Sequence, residues 1–246
     1  MSSGPDFPSL LASVARCDAV YEPDDQTARH RFSQLGSTVL GRYCDAGHQA
    51  IAHRDPNGWA TLTICGTRVS EGSLREHAVD LFEDVNFSPR DIGNGVQVAA
   101  GAVDGLVHVY SWAVALFQEH ELIRVEGHSL GGQRTHLAPL FVPVSRLDSA
   151  IAWEPPKAAN DTYYQTYAPA IDRTITVLNG ADPWAAWPWV GDRLVHPPGP
   201  ILWLRNSGWS WTTRETWPGG AMLSASDHDI GQILLTVQRL CAASVG

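Results

Sequence analysis

Leu122-Ile123-Arg124-Val125-Glu126-Gly127-His128-Ser129-Leu130-Gly131-Gly132 is the stretch that decides the fold. Leu122 to Glu126 reads as a short strand, and Gly131 to Phe141 as a helix limited by Pro139. Between them stands Gly127-His128-Ser129-Leu130-Gly131, a G-x-S-x-G string in the strand–turn–helix setting that gives such a string meaning. A turn this tight tolerates only small residues two before and two after the serine. It leaves the serine backbone strained and lifts the hydroxyl clear of the sheet. The helix that follows aims its N-terminus at the site, where negative charge is favoured, and the N–H of Leu130 is an expected oxyanion donor.

Working outward, strand-like and helix-like stretches alternate. Residues 8–17 and 26–43 read as helices, with Leu10, Leu11 and Val14 on one face and Phe32, Leu35 and Val39 on another. Trp59 to Cys65 reads as a buried strand that ends at Gly66-Thr67. Residues 73–82 read as a short helix, a turn-rich patch follows at Ser88-Pro89 and Gly93-Asn94-Gly95, and 102–120 has helical spacing. Ser149–Trp153, Thr174–Leu178 and Ile201–Leu204 read as further strands. The chain closes on a helix with Ile230, Ile233, Leu234, Val237 and Leu240 on one face. Strands separated by helical lengths predict an α/β fold with a mostly parallel central sheet flanked by helices, in one domain over residues 1–246. In such sheets the active groups sit on loops at the carboxyl ends of strands.

A serine needs a histidine base and an acid that orients it. In this fold the chain order is Ser, Asp or Glu, His. Asp182, in Asn179-Gly180-Ala181-Asp182-Pro183, follows the strand at Thr174–Leu178 directly. His228 lies just before the closing helix. The expected triad is therefore Ser129, Asp182 and His228. The rivals are weaker. Asp172 precedes its strand, Asp192 has no clear strand before it, and His196 stands in what reads as a surface loop. Asp227 and Asp229 read as caps of the last helix.

Four segments resemble the lipase class 3 family, the fungal-lipase-like α/β-hydrolases. They are Trp59 to Thr67 (WATLTICGT), Val125 to Gly132 (VEGHSLGG), Asn179 to Pro183 (NGADP) and Asp227-His228, and the resemblance as a whole covers the chain from about residue 10 to 240. It implies hydrolysis of carboxylic esters without a cofactor, and it assigns Thr67 as the second oxyanion-hole residue. Cys65 stands where that family usually has an arginine, and Val98 to Ala102 lacks its usual histidine and aromatic residue.

Composition narrows the partners. The net charge of -9 argues against nucleic acid or an anionic membrane, while a small-molecule or lipid ester, with transient contact to a lipid surface, is compatible with it. Ten tryptophans, many of them between 184 and 217, read either as packing or as an apolar wall for an acyl chain. Residues 70–82 have the apolar face of a lid helix or of an ordinary buried helix. The four cysteines have no metal-ligand or paired spacing and read as reduced core thiols. No zinc-protease motif, phosphate loop or dinucleotide fingerprint is present, so neither metal nor cofactor is expected. No secretory signal or membrane-spanning run is visible, which gives a cytoplasmic location by default, though a mature exported chain would read the same. The alternatives to an esterase are a thioesterase, peptidase or acyltransferase on the same triad, or a binding protein that kept the fold.

Overall fold

The structure is a computed structural model that describes residues 4–45, 47–67, 86–188, 193–218 and 224–244. Helix α1 (Phe7–Ala19) starts where Asp6 accepts the Ser9 amide at 3.2 Å, and α2 (Asp25–Gln34) where Asp24 accepts the Thr27 amide at 2.7 Å. Next come β1 (Thr38–Asp45), β2 (His48–Arg54) and β3 (Ala60–Ile64). Strands β4 (Pro89–Asp91) and β5 (Gln97–Ala99) form a separate hairpin around Gly93-Asn94-Gly95. Helices α3 (Ala100–Val103) and α4 (Leu106–Leu116) lead into β6 (Ile123–His128) and α5 (Leu130–His136). The rest runs β7 (Leu147–Trp153), α6 (Asp161–Thr166), α7 (Ala168–Ile171), β8 (Thr174–Asn179), β9 (Ile201–Arg205), β10 (Gly208–Thr212), a 3-10 turn at Ala225–His228, and α8 (Ile230–Ser244).

Eight strands form one sheet in the order β1-β2-β3-β6-β7-β8-β9-β10. It is parallel from β3 through β9, with antiparallel pairs at its two edges. This is the mostly parallel α/β-hydrolase architecture expected from the alternation of elements. Side chains of successive strand residues point to opposite faces. Leu62, Ile64, Val125 and Ala150 therefore meet Leu106, Val109, Tyr110 and Leu137 on one side. On the other, Trp153, Val177, Leu202 and Leu204 meet Leu10 and Val14 of α1 and Ile233 and Val237 of α8. Ile230, Leu234 and Leu240 pack around that second cluster, so the closing helix uses the face expected of it.

Several boundaries differ from the sequence reading. The helix expected over 26–43 ends at Gln34, because Gly36 adopts φ 73 and Thr38 to Asp45 pair with β2 instead. Pairing with a neighbouring strand outweighs the helical spacing of Phe32, Leu35 and Val39, and β2 and β10 were not anticipated. The helix expected over 102–120 is broken at Asp104-Gly105, where Gly105 has φ 68, and stops at Leu116. The one expected over 131–141 ends at His136 and passes into a 3-10 turn at Ala138–Leu140. The helix expected over 73–82, and with it the lid reading of 70–82, lies outside the described residues. Among the described residues no helix is long and apolar enough to cross a membrane.

Candidate active site

The site grows from the turn between β6 and α5. Ser129 has φ 59 and ψ -125, a left-handed conformation that few non-glycine residues adopt. Its amide donates to Trp153 O at 2.9 Å, and its carbonyl accepts the Gln133 amide at 3.0 Å. The flanking glycines are sterically required. A Cβ on Gly127 would strike the Gly131 carbonyl and come within 2.9 Å of Ile64 O. A Cβ on Gly131 would strike Ile64 O and approach the Cys65 carbonyl carbon to 2.9 Å. The turn is thus wedged against the end of β3, and Gly66, just past that end, lies beside the serine. A Cβ on Gly66 would lie 3.0 Å from Ser129 Cβ. The Leu130 N–H opens α5, where first-turn amides have no acceptor within the helix.

Three side chains from distant parts of the chain meet here. Ser129 Oγ lies 2.8 Å from His228 Nε2, and His228 Nδ1 lies 2.6 Å from Asp182 Oδ2. Asp182 Oδ1 accepts the Trp184 amide at 2.8 Å. Ser129, Asp182 and His228 are all buried. Because the Asp182 carboxylate can only accept, His228 Nδ1 carries the proton, and Nε2 is left to accept from the serine hydroxyl. Burial opposes the charge of Asp182, but the His228 ring, joined by the hydrogen bond from the Trp184 amide, holds its carboxyl below the usual carboxylate range.

The loop that carries His228 is tied down on two sides. Asp227 Oδ2 accepts the Ala181 amide at 2.9 Å, and Asn179 Nδ2 donates to Asp227 O at 2.9 Å. Asp227 is therefore a strut between the acid and base loops, which corrects its reading as a helix cap. Asp229 does cap α8, accepting the Gln232 amide at 3.0 Å. On the other side His128 Nε2 lies 2.9 Å from His228 O. A carbonyl only accepts, so that nitrogen carries the proton and Nδ1 accepts from Tyr21 Oη at 2.8 Å. Tyr21 Oη in turn accepts the Gly66 amide at 3.2 Å. Burial, with the nearby His228, pushes the His128 pKa down to about 3, so this relay stays neutral.

The rival residues take other roles. Asp172 follows α7 and precedes β8, at the far end of the sheet. Asp192 lies outside the described residues. His196 is buried, contrary to its reading as a surface residue. Its Nε2 donates to Ala185 O at 2.7 Å, its ring stands edge-on to Trp217, and burial pushes its pKa down to about 4. Trp184 and Trp187 pack with Phe87 just beyond Asp182. Of the cysteines, all free, only Cys17 and Cys65 are buried. Cys44 is exposed and Cys241 half-buried, so the core-thiol reading holds for two of the four.

Two residues of this site were not anticipated. Tyr21 gave no signal, since only its placement 107 residues away from His128 makes it relevant. The other is Glu154, which follows β7 with φ 44 and is fully buried. Oxygens of Glu154 and Asp182 and a ring nitrogen of His228 all lie within 4.8 Å of one another. That donor set is of the kind that can hold a divalent cation, but His228 Nδ1 and Asp182 Oδ2 are already engaged with each other. Burial first, and the Asp182 carboxylate second, push the Glu154 carboxyl well above the usual range.

No protein-family model and no curated protein matches the sequence. Solved structures do resemble this one. The mono- and diacylglycerol lipase from Aspergillus oryzae superposes with a TM-score of 0.71 at 17% identity, over 95% of this chain and 96% of that one. Lipase II from Rhizopus niveus gives 0.66 at 18% identity, over 91% of each chain. A triacylglycerol lipase described as having a serine-protease triad at its catalytic centre gives 0.69 at 16%, over 92% of this chain and 94% of that one. At these identities the likeness speaks for the fold, and the chain carries the fungal-lipase-like form of the α/β-hydrolase fold.

Proposed function

We propose that this protein is a serine hydrolase of carboxylic esters, with Ser129 as nucleophile, His228 as general base and acid, and Asp182 as the acid that orients it. One observation carries the reading: an unbroken hydrogen-bond chain from Ser129 Oγ through His228 to Asp182, at 2.8 and 2.6 Å, set on a serine at φ 59. In the first step Ser129 Oγ attacks the ester carbonyl carbon while His228 Nε2 takes the hydroxyl proton. The N–H groups of Leu130 and Thr67 are assigned to the oxyanion. His228 then gives its proton to the leaving alcohol, and an acyl-enzyme remains. Water attacks that ester with His228 again as base, which releases the acid and restores Ser129. No cofactor is needed for these steps. The lipases of the same fold favour lipid esters as the substrate class, and the whole chain is read as one hydrolase domain.

Fluorophosphonate labelling followed by peptide mapping tests the nucleophile. Modification of Ser129 is expected, and Ser129→Ala is expected to lose label and at least about 10³-fold in kcat on p-nitrophenyl esters. A folded protein that takes no label, or takes it at another serine, would sink the reading. A chain-length series of the same esters then places the optimum among long lipid acyl groups or short ones.

A further inference from the structure

Glu154 leaves the sheet between the serine-bearing strand β6 and β8, the strand that delivers Asp182. Its amide donates to Val177 O at 2.9 Å, holding the backbone in a conformation that costs a non-glycine residue on the order of 1–3 kcal/mol. The side chain is 0% exposed. The ionisable groups that face it are the carboxylates of Asp182 and Asp227 from the two loops above, together with the His228 ring. Its Oε1 accepts the Asn179 amide. Its Oε2 is sealed from water and has no donor among the described residues.

A carboxylate oxygen buried without a donor is expensive, whereas a carboxylic O–H in the same place needs only an acceptor. An Asp182 oxygen lies within 4.8 Å of a Glu154 oxygen. Two carboxyls this close do not both ionise, and the proton settles on the one with less compensation. Asp182 has His228 Nδ1 and the Trp184 amide, while Glu154 has, among the described residues, the Asn179 amide alone.

We propose that Glu154 is a positioning residue of the site: a neutral carboxylic acid that donates from Oε2 to the Asp182 carboxylate and fixes it against His228. This rests on the hydrolase reading of Ser129, His228 and Asp182. The extra donor restricts the rotation of Asp182. It also leaves the single negative charge on the carboxyl that faces the imidazole, which is where it stabilises the imidazolium formed when Ser129 gives up its proton.

The test compares Glu154→Gln with Glu154→Leu, each checked for folding by circular dichroism. Gln is neutral, can donate to Asp182 and can accept from Asn179. It is expected to keep kcat within about threefold, with the acidic limb of the kcat/KM profile unmoved. Leu removes the donor, and kcat is expected to fall roughly 10- to 100-fold with KM little changed. Wild-type kcat in the Leu variant would overturn the proposal. So would a downward shift of the acidic limb by a unit or more in the Gln variant, because that reports a lost negative charge. If the Leu variant does not fold, the Gln profile still decides. An infrared carboxylic-acid band present at neutral pH and missing in the Gln variant is expected whether or not the protein turns over esters, and its absence from the wild type overturns the proposal. Failure of the hydrolase reading is seen separately, as a wild-type chain that neither labels nor hydrolyses.

Discussion

Glu126 and Glu154 are both inside the protein, at 3% and 0% exposure, yet they stand in opposite states. Glu126, on β6, points at the α1 side of the sheet. There Arg16 donates to it twice, from Nε at 2.7 Å and from a terminal nitrogen at 2.8 Å, and Thr63 Oγ1 donates at 2.7 Å. Burial works most strongly against its charge, but the Arg16 cation and its hydrogen bonds, joined by His53 and the Thr63 hydroxyl, together hold the carboxyl below its usual range. Glu154, at the end of the neighbouring strand, faces carboxylates in place of a guanidinium, and its carboxyl is pushed well above the usual range. The two have nearly the same burial, so burial does not set the charge state; the partner does. One glutamate ties a helix to the sheet as an ion, and the other sits beside the candidate triad as an acid.

The largest blow to this contrast is removal of the cation. Arg16→Met leaves a buried carboxylate without its cation and is expected to cost about 3–5 kcal/mol in urea unfolding, most of it recovered in the Arg16→Met/Glu126→Leu double variant. A loss under about 1 kcal/mol would mean that Glu126 tolerates burial alone, and the contrast would fail. A second effect separates the two glutamates by sign. Glu154 has a raised folded pKa, so the folded state holds a proton that the unfolded chain releases above the ordinary glutamate range. Stability therefore falls as pH rises beyond that range, by up to about 1.4 kcal/mol per pH unit until the folded pKa is reached. Glu126 has a lowered folded pKa, so its stabilisation is present above the unfolded value and is lost as pH falls through the folded one. From pH 5 to 8 the wild-type urea midpoint should fall relative to that of Glu154→Gln as pH rises; parallel profiles would contradict a neutral Glu154. The smallest effect calibrates the comparison. Arg29 and Asp25 form a 2.8 Å pair at 45% and 55% exposure, and Arg29→Ala is expected to change stability by no more than about 0.5 kcal/mol.

The serine turn was legible because its requirements are met within a few residues: a strand before it, glycines where chain segments cross, and a helix after it. Asp182 and His228 were legible for a related reason, since each follows or precedes an element whose periodicity places it at the carboxyl end of the sheet. Thr67 rested on resemblance alone, and the close approach to Ser129 is that of its neighbour Gly66. The misreadings share one cause. Residues 38–43 carry a plausible helical spacing, but Thr38 to Asp45 gain a partner in His48 to Arg54 that local periodicity does not reveal. His196 looked like a loop residue on the surface until the chain around Ala185 and Trp217 closed over it.

What the sequence by itself determined is the steric part: the elbow at Ser129, the amphipathic faces of α1 and α8, and the order Ser, Asp, His along the chain. Side-chain volume and backbone freedom act between near neighbours, so a linear string records them. Only the tertiary structure decided the electrostatic part: that Glu126 faces a guanidinium and Glu154 carboxylates, which nitrogen of His128 holds its proton, and that Tyr21 links the Gly66 amide to His128. Charge states follow from the groups that face a side chain across the fold. Those groups lie as far apart in sequence as Arg16 and Glu126, 110 residues.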